Sequence, residues 1–447
     1  MKNILPRGHK KLLHAWAFYD WANSVYSLVI TSAIFPIFYS AVSKTAYEEG
    51  NVPDFLKDVN NENIIFVTTA IAFLVVSVLS PILSGIADYS GQKKRFMQFF
   101  CYLGASCCIG LAFFSFDYLW FSLAMYFLAL IGFWGGSLVF YNSYLPDVAL
   151  PEQQDATSAK GFSLGYIGSV ILLVFCLAMN EFGLYPESGY LLGLDAVQMS
   201  FILVGVWWIG FAQYTYTYLP LGNKKDTSEV KNIFTNGFKE LHKIWDQLGD
   251  NIQMKRYLAA FFVYSMAVQT VMLVATYFGT EEVQWEEGGA TMGLIVSILL
   301  IQIVAIAGAF IASKLSNYYG NIKVLIGINM IWVAICIYGY FVYSPMEFYL
   351  TAAAVGFVMG GSIQSLSRST YSKMIPEGNP DTASYFSFYD VAEKIGIVIG
   401  MTIFTLVTQW SGSMRGSILF LVVFFAIGVV LLLRVPKLKT AILDHKV

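Results

Sequence analysis

The chain has 447 residues, of which 57% are hydrophobic, 17% aromatic and only 13% charged, against roughly a quarter charged in a soluble domain. Its mean hydropathy is +0.61. That balance excludes a soluble globular fold and points to an all-α polytopic membrane protein, and a net charge of -2 gives no electrostatic case for nucleic acid.

Apolar runs of about 20 residues, the length that crosses a hydrocarbon core about 30 Å thick, predict twelve spans. They lie at about 12–42, 63–87, 96–116, 118–145, 159–179, 199–219, 256–279, 291–313, 322–343, 347–371, 383–408 and 415–434. An even number puts both chain ends on one side. All but four of the 27 lysines and arginines fall in segments on that side, the exceptions being Lys44, Lys57, Arg415 and the intramembrane Lys394. The positive-inside rule therefore predicts cytoplasmic termini. The basic N-terminus leads into a long span without a small-residue cleavage site, so no removable signal is expected and a plasma (inner) membrane location follows. The five cysteines all lie in apolar runs without a CxxC pair and read as small core residues.

The first span carries Asp20, Asn23, Ser24, Ser27 and Thr31 at i, i+3, i+4, i+7 and i+11. Such a polar stripe must face protein or water rather than lipid. Two readings stand: Asp20 and Asn23 line a transport cavity in which Asp20 titrates, or they form a buried hydrogen-bonded pair between helices. Between spans two and three, Gly85-Ile-Ala-Asp88-Tyr-Ser-Gly91-Gln-Lys93-Lys94-Arg95 must turn within a few residues. Gly91 supplies the backbone freedom, Asp88 can cap a helix end or pair across an interface, and the basic cluster holds the turn inside. Gly85, Asp88, Gly91 and Lys94 read as a conformational latch. With the twelve spans and a weaker echo at Asn317-x-x-Gly320-x-x-Lys323, this stretch resembles the loop motif of the major facilitator superfamily.

Span four ends in Phe140-Tyr141-Asn142-Ser143-Tyr144-Leu145-Pro146, and span five opens with Gly161, Gly165 and Gly168 on one face, a pattern that suits close helix packing. Tyr141, Asn142 and Tyr166 are candidates to reach a central cavity. From 222 to 254 the apolar pattern breaks, leaving six spans on each side. Within it Val230, Ile233, Phe234, Phe238, Leu241, Ile244, Trp245 and Leu248 recur at helical spacing, which predicts an amphipathic linker helix on the membrane surface, with a partner-docking helix as the alternative. The expected organisation is a six-helix bundle over 1–221, a cytoplasmic linker over 222–254 and a second six-helix bundle over 255–447. Tyr264, Gln269 and Gln302 in spans seven and eight read as helix packing.

In span ten Gln364 and Arg368 share a face. Arg368 near the span's end has two readings, snorkelling to the headgroups or acting as a carboxylate clamp or gate. Span eleven carries Asp390, Glu393 and Lys394. At about 1.5 Å per residue Lys394 lies roughly 20 Å from Asp381, near mid-membrane, where a lysine is costly unless paired or wet. Asp390 at i-4 is its local partner, and Asp20 competes for it. The halves echo one another: Gly135-Gly136-Ser137 with Pro151-Glu152 recurs as Gly360-Gly361-Ser362 with Pro376-Glu377, and Asp155 and Phe162 match Asp381 and Phe388. Parallel six-span repeats are the signature of a transporter whose halves rock about a central site.

Tyr19-Asp20-Trp21-Ala22-Asn23-Ser24, Phe140-Tyr141-Asn142-Ser143 with Leu145-Pro146, Gly165-Tyr166-Ile167-Gly168, Gln364-Ser365-Leu366-Ser367-Arg368-Ser369 with Ile375-Pro376, Lys394 and Gly412-Ser413-x-Arg415 follow in order. Together they resemble the successive signatures of the vacuole-effluxer-like branch of the major facilitator superfamily, also called the unknown major facilitator family. The resemblance runs from about residue 14 to 434. It implies a twelve-helix facilitator fold and, by analogy with the vacuolar members, efflux of amino acids.

No Walker-type GxxxxGK[ST], HExxH or GxSxG occurs, which argues against ATP-driven transport, a resident metal or cofactor and the commoner hydrolases. The expected protein is therefore not an enzyme but a monomeric secondary transporter of a small polar solute, bathed in membrane lipid. Asp20, Asn23, Asp390, Glu393 and Lys394 would form its central site, with proton coupling through Asp20 or Glu393. An exporter of amphipathic compounds and a non-transporting sensor or scaffold are the alternatives.

Overall fold

The computed structural model describes residues 5–48, 50, 61–181, 191, 193–222 and 233–436. Twelve of its helices are long and apolar enough to cross a membrane. In order they are α1 (Lys10–Glu48), α2 (Val67–Ser90), α3 (Lys93–Phe113), α4 (Leu119–Val148), α5 (Pro151–Met179), α6 (Ala196–Tyr218), α8 (Ile252–Glu282), α9 (Ala290–Tyr319), α10 (Asn321–Gly339), α11 (Pro345–Met374), α12 (Thr382–Ser411) and α13 (Met414–Leu433). The linker helix α7 (Ile233–Asp250) falls between the sixth and seventh spans. Val230 of its expected stripe, and Lys2, Lys57, Lys224, Lys225, Lys231, Lys437, Lys439 and Lys446 of the charge pattern, lie outside the described residues.

The helix ends follow local chemistry. Asp195 caps α6 by accepting the Gln198 N–H at 2.7 Å, and Ser344 with Glu347 forms a capping box at the start of α11. Gly91 and Gly320, at matching positions of the two echoing turns, both take positive φ, 64° and 84°. That left-handed conformation is open to glycine without a Cβ clash, so both turns depend on it for the same reason.

The buried apolar side chains form two cores. One runs from Leu12 to Leu219 and includes Trp16, Tyr26, Trp208 and, from the last six spans, Ala383. The other runs from Ile244 to Val435 and includes Tyr257, Trp332, Tyr371 and Phe425. Large apolar residues such as Val78, Ile303, Leu406 and Leu433 are instead exposed on the spans, which lipid tails match and water does not.

Regular α-helix gives way to wider π-helical turns in three spans, at Tyr26–Ile34, Ile131–Ser137 and Met359–Gln364. The last two hold the echoed Gly-Gly-Ser triplets. A Cβ on Gly136 would overlap the Phe100 ring and one on Gly361 would overlap the Ala305 carbonyl oxygen, so the first triplet makes room for a ring of the neighbouring helix and the second for its backbone. Gly361→Val is accordingly expected to cost about 1–3 kcal/mol through forced backbone shifts, seen as a lower thermal unfolding midpoint in detergent. Gly327→Val, where nothing stands within 4 Å of an added Cβ, is the control.

The linker helix departs from the membrane-surface expectation. Ile244 and Leu248 are buried in the second core, and α7 packs on α2, α8 and α12. Ile244 and Leu248 of its apolar stripe are therefore covered by protein, with Trp245 left 62% exposed.

Candidate functional site

Lys394 is fully buried, and its Nζ lies 2.5 Å from Glu393 Oε2 and 3.4 Å from Asp390 Oδ1. Asp390 and Lys394 share a face of α12 because they are one turn apart, while Glu393 reaches the amine from the adjacent position. The side-chain amide of Gln269 on α8 donates to Glu393 Oε1 at 2.7 Å, and the amine sits 4.1 Å from the centre of the Trp134 ring on α4. Trp134 belongs to the π-helical turn of α4, so a residue of the first six spans covers a cation of the last six. Asp390 Oδ2 is buried without a hydrogen-bond partner. One cation thus stands against two carboxylates, with one acceptor left over.

A second charged group lies nearer the end of the helices where Lys93, Asp155 and Lys373 are found, here termed the basic face. Arg368 on α11 is 3% exposed and points across to the first six spans. Its Nε donates to Ser158 Oγ at 2.9 Å, Nη1 to Asn142 Oδ1 at 3.0 Å and Nη2 to the Ser158 carbonyl at 3.1 Å. Nη2 also pairs with Asp20 Oδ2 at 3.4 Å, and the Tyr141 hydroxyl donates to the same oxygen at 2.8 Å. Trp16, Tyr141 and Phe162 surround the guanidinium, with ring centres 4.9, 5.3 and 4.4 Å away. The planar fork of an arginine serves several acceptors and stacks on rings, which a lysine ammonium cannot reproduce. Gly161 makes the room, since a Cβ there would lie 2.5 Å from Asp20 Oδ2 and 3.0 Å from the Tyr141 hydroxyl.

Closer still to the basic face, a row of contacts joins the first six spans to the last six. Asp88 at the end of α2 accepts the backbone N–H groups of Ala383 and Ser384 at 3.3 and 2.7 Å, placing a carboxylate on the positive N-terminus of α12. Lys93 bonds Asp147 at 2.5 Å and Thr382 at 2.6 Å. Across the bundle Asp155 accepts from Lys373 at 2.6 Å, Ser316 at 2.8 Å and Asn321 at 2.9 Å. These side-chain hydrogen bonds and ion pairs between the two sets of spans lie toward the basic face from Lys394. That face is sealed.

Several expectations change here. Asp20 is the partner of Arg368 and not of Lys394, so the expected single central cluster is two. Arg368 does not snorkel: α11 runs on to Met374, past the expected end of the span, and leaves the guanidinium inside the bundle. Lys394 is therefore one of two buried mid-bundle cations among the described residues. Gly85 is buried near the end of α2, Gly91 takes its left-handed place in the turn that follows, and Lys94 donates to the Leu219 carbonyl at 3.0 Å. Its neighbour Lys93 bonds Thr382 across the seam. Asn23 is fully buried with its amide nitrogen unpartnered, and Gln364 reaches only the Met272 sulfur at 3.4 Å. The Tyr166 hydroxyl packs against Gly360, across the seam. Sequence reading missed Trp134, Ser158, Lys93, Asp147 and Lys373. The echo of Asp155 with Asp381 and the position of Trp134 just before a repeated Gly-Gly-Ser were signals that pointed toward them.

The profile of the family described as "Vacuole effluxer Atg22 like" matches residues 8–442. The chain belongs to this family. It is 31% identical over 428 residues to the "Uncharacterized MFS-type transporter YxiO" of Bacillus subtilis (strain 168), covering 95% of this chain and 94% of that protein. It is 21% identical over 477 residues to Autophagy-related protein 22 of Kluyveromyces lactis (strain ATCC 8585 / CBS 2359 / DSM 70799 / NBRC 1267 / NRRL Y-1140 / WM37), covering 95% and 93%. In fold it is similar to the major facilitator transporter FucP in the outward conformation, with a TM-score of 0.66 at 16% identity over 96% of this chain and 98% of that one. The human organic anion transporter MFSD10 gives a TM-score of 0.70 at 10% identity over 95% and 99%. This member of the Atg22-like family is thus an integral multi-pass membrane transporter of the major facilitator superfamily, not an enzyme.

Proposed function

We propose that the chain is a secondary transporter that moves a small zwitterionic solute, an amino acid by family analogy, through alternating access of two six-helix bundles, 1–221 and 255–447. The observation that carries this reading is the Lys394 group, a buried cation flanked by two carboxylates and covered by Trp134 from the other set of spans. A substrate carboxylate competes for the lysine amine, and the acid it displaces is then free to hold the substrate ammonium. The basic-face row and the Arg368–Asp20 pair close one side while the Lys394 group is approached from the other. The lysine-rich face is the cytoplasmic one, with both termini there, in the plasma (inner) membrane.

Proton coupling follows from the count of charges. Among the described residues, Asp20, Asp390 and Glu393 meet Arg368 and Lys394 in the bundle interior, three acids to two cations, and the acid in excess is the site where a proton or a substrate cation would be taken up. Solved relatives in fold include a fucose:proton symporter and a proton:xylose symporter, which supports the same reading.

The test is flux in proteoliposomes with a panel of labelled amino acids and of lipophilic dyes, with and without a proton gradient. Saturable amino-acid flux that responds to the gradient supports the proposal. Dye flux alone selects export of amphipathic compounds, and no flux of either kind alongside a stable partner at α7 selects the sensor or scaffold.

A further inference from the structure

α9 and α10 follow one another in the chain, but each packs mainly on other helices, α9 on α5 and α11 and α10 on α13. Between them lies an open groove of about 360 Å³. Gly308, Ala312 and Gly327 hollow it out, and Ile311, Leu315 and Ile331 line it from exposed positions on the lipid-facing surface. An added Cβ on Gly327 would meet nothing within 4 Å. At the deep end the Ser362 hydroxyl donates to the Phe357 carbonyl, so a hydrocarbon occupant strands no hydroxyl there. The mouth, at the basic face, is different. Tyr319, 62% exposed, ends α9, and Lys323 stands in the first turn of α10, exposed and without an ion-pair partner among the described residues. That turn carries no acidic side chain, and Asp155, the carboxylate that Asn321 reaches, is already paired with Lys373. The mouth is therefore electropositive.

From Tyr319 back to Gly308 is roughly 16 Å of helix, and half of a hydrocarbon core is about 15 Å. The groove thus runs from headgroup level to mid-membrane, the reach of one leaflet. A helix of a second copy would need a face through the whole membrane, and this one stops half-way. We propose that the groove binds an acidic glycerophospholipid from the leaflet at the basic face, with one acyl chain between α9 and α10 and the headgroup phosphate on Lys323 and the Tyr319 hydroxyl. A lysine attracts anionic headgroups, and a tyrosine suits the interface, where its ring is apolar and its hydroxyl wet. The tails of every phospholipid fit the hollow. The charge at its mouth selects among them.

The measurement is native mass spectrometry of the purified, delipidated full-length protein titrated with phosphatidylglycerol, phosphatidylcholine or glycerol 3-phosphate. Phosphatidylglycerol is expected to form its first adduct roughly three to ten times more tightly than phosphatidylcholine, the scale of one lysine beside an anionic headgroup. Glycerol 3-phosphate, which lacks the chains, should form none. Lys323→Gln should bring phosphatidylglycerol down to the affinity of phosphatidylcholine and leave the latter unchanged. Gly327→Trp, whose ring occupies the hollow, should weaken the first adduct of both lipids by about tenfold or more. Its thermal unfolding midpoint in lipid-free detergent should match that of the parent, because nothing packs on that position. Equal first-adduct affinity for the two lipids overturns the proposal, as does phosphatidylglycerol binding unchanged in Lys323→Gln or in a folded Gly327→Trp. A dimer that Gly327→Trp abolishes would make the occupant a second copy, and glycerol 3-phosphate bound as tightly as phosphatidylglycerol would make it a free anion; either result overturns the lipid assignment. Should Gly327→Trp fail to fold, Lys323→Gln decides.

Discussion

Arg368→Ala is expected to reduce solute flux in proteoliposomes by at least about a hundredfold, while Asp20→Asn/Arg368→Ala recovers part of the loss in stability. Removing the guanidinium leaves the Asp20 carboxylate, itself 4% exposed, without a counter-ion and strips donors from Asn142 and Ser158. Breaking a buried ion pair from one side costs about 3–5 kcal/mol, roughly two to three decades in an equilibrium. Here that cost falls on the state with the basic face sealed, because the pair joins helices that part when the face opens. Arg368→Lys should recover little, since a single ammonium cannot serve Ser158, Asn142 and Asp20 together within a ring of three aromatics. The discriminating readout is the double variant. If it regains the thermal midpoint without regaining flux, the pair is part of the transport cycle; if both return together, the arginine only offsets a buried charge.

Lys394→Ala is expected to have an effect of similar size through a different route. It leaves Asp390 and Glu393 as two neighbouring carboxylates inside the bundle without the cation that both contact. The variant should lose about 3–5 kcal/mol of stability and at least about a hundredfold in initial flux. Lys394→Gln/Glu393→Gln removes one charge of each sign and keeps hydrogen-bonding groups, so its thermal midpoint should return toward that of the parent. Its flux should not, because no cation is left for the substrate carboxylate. Parent-like flux in Lys394→Ala would remove the lysine from the mechanism altogether.

Much of this molecule is legible in one dimension. Twelve spans follow from hydropathy because lipid imposes a length and an apolarity on each helix regardless of its neighbours. The echoed turns at Gly91 and Gly320 were visible for a similar reason: a left-handed backbone position selects its residue locally. The Asp390–Lys394 pair was found because it lies within one helical turn. The placement of Trp134 was not, since the π-helical turn that carries it departs from the 3.6-residue period on which helix faces are read.

What the sequence determined by itself was the number of spans, the side that gathers positive charge, the repeat and the local Asp390–Lys394 pair. That Asp20 answers Arg368 was decided by the tertiary structure alone. Arg368 and Asp20 are 348 positions apart, and no spacing pairs them; on paper Asp20 stood only as a competitor for Lys394. Coulomb attraction acts on distance in space, and that distance between residues of different helices is set by how the helices pack: by the glycine triplets that bring α3 against α4 and α9 against α11, and by the reach of α11 past the expected end of its span.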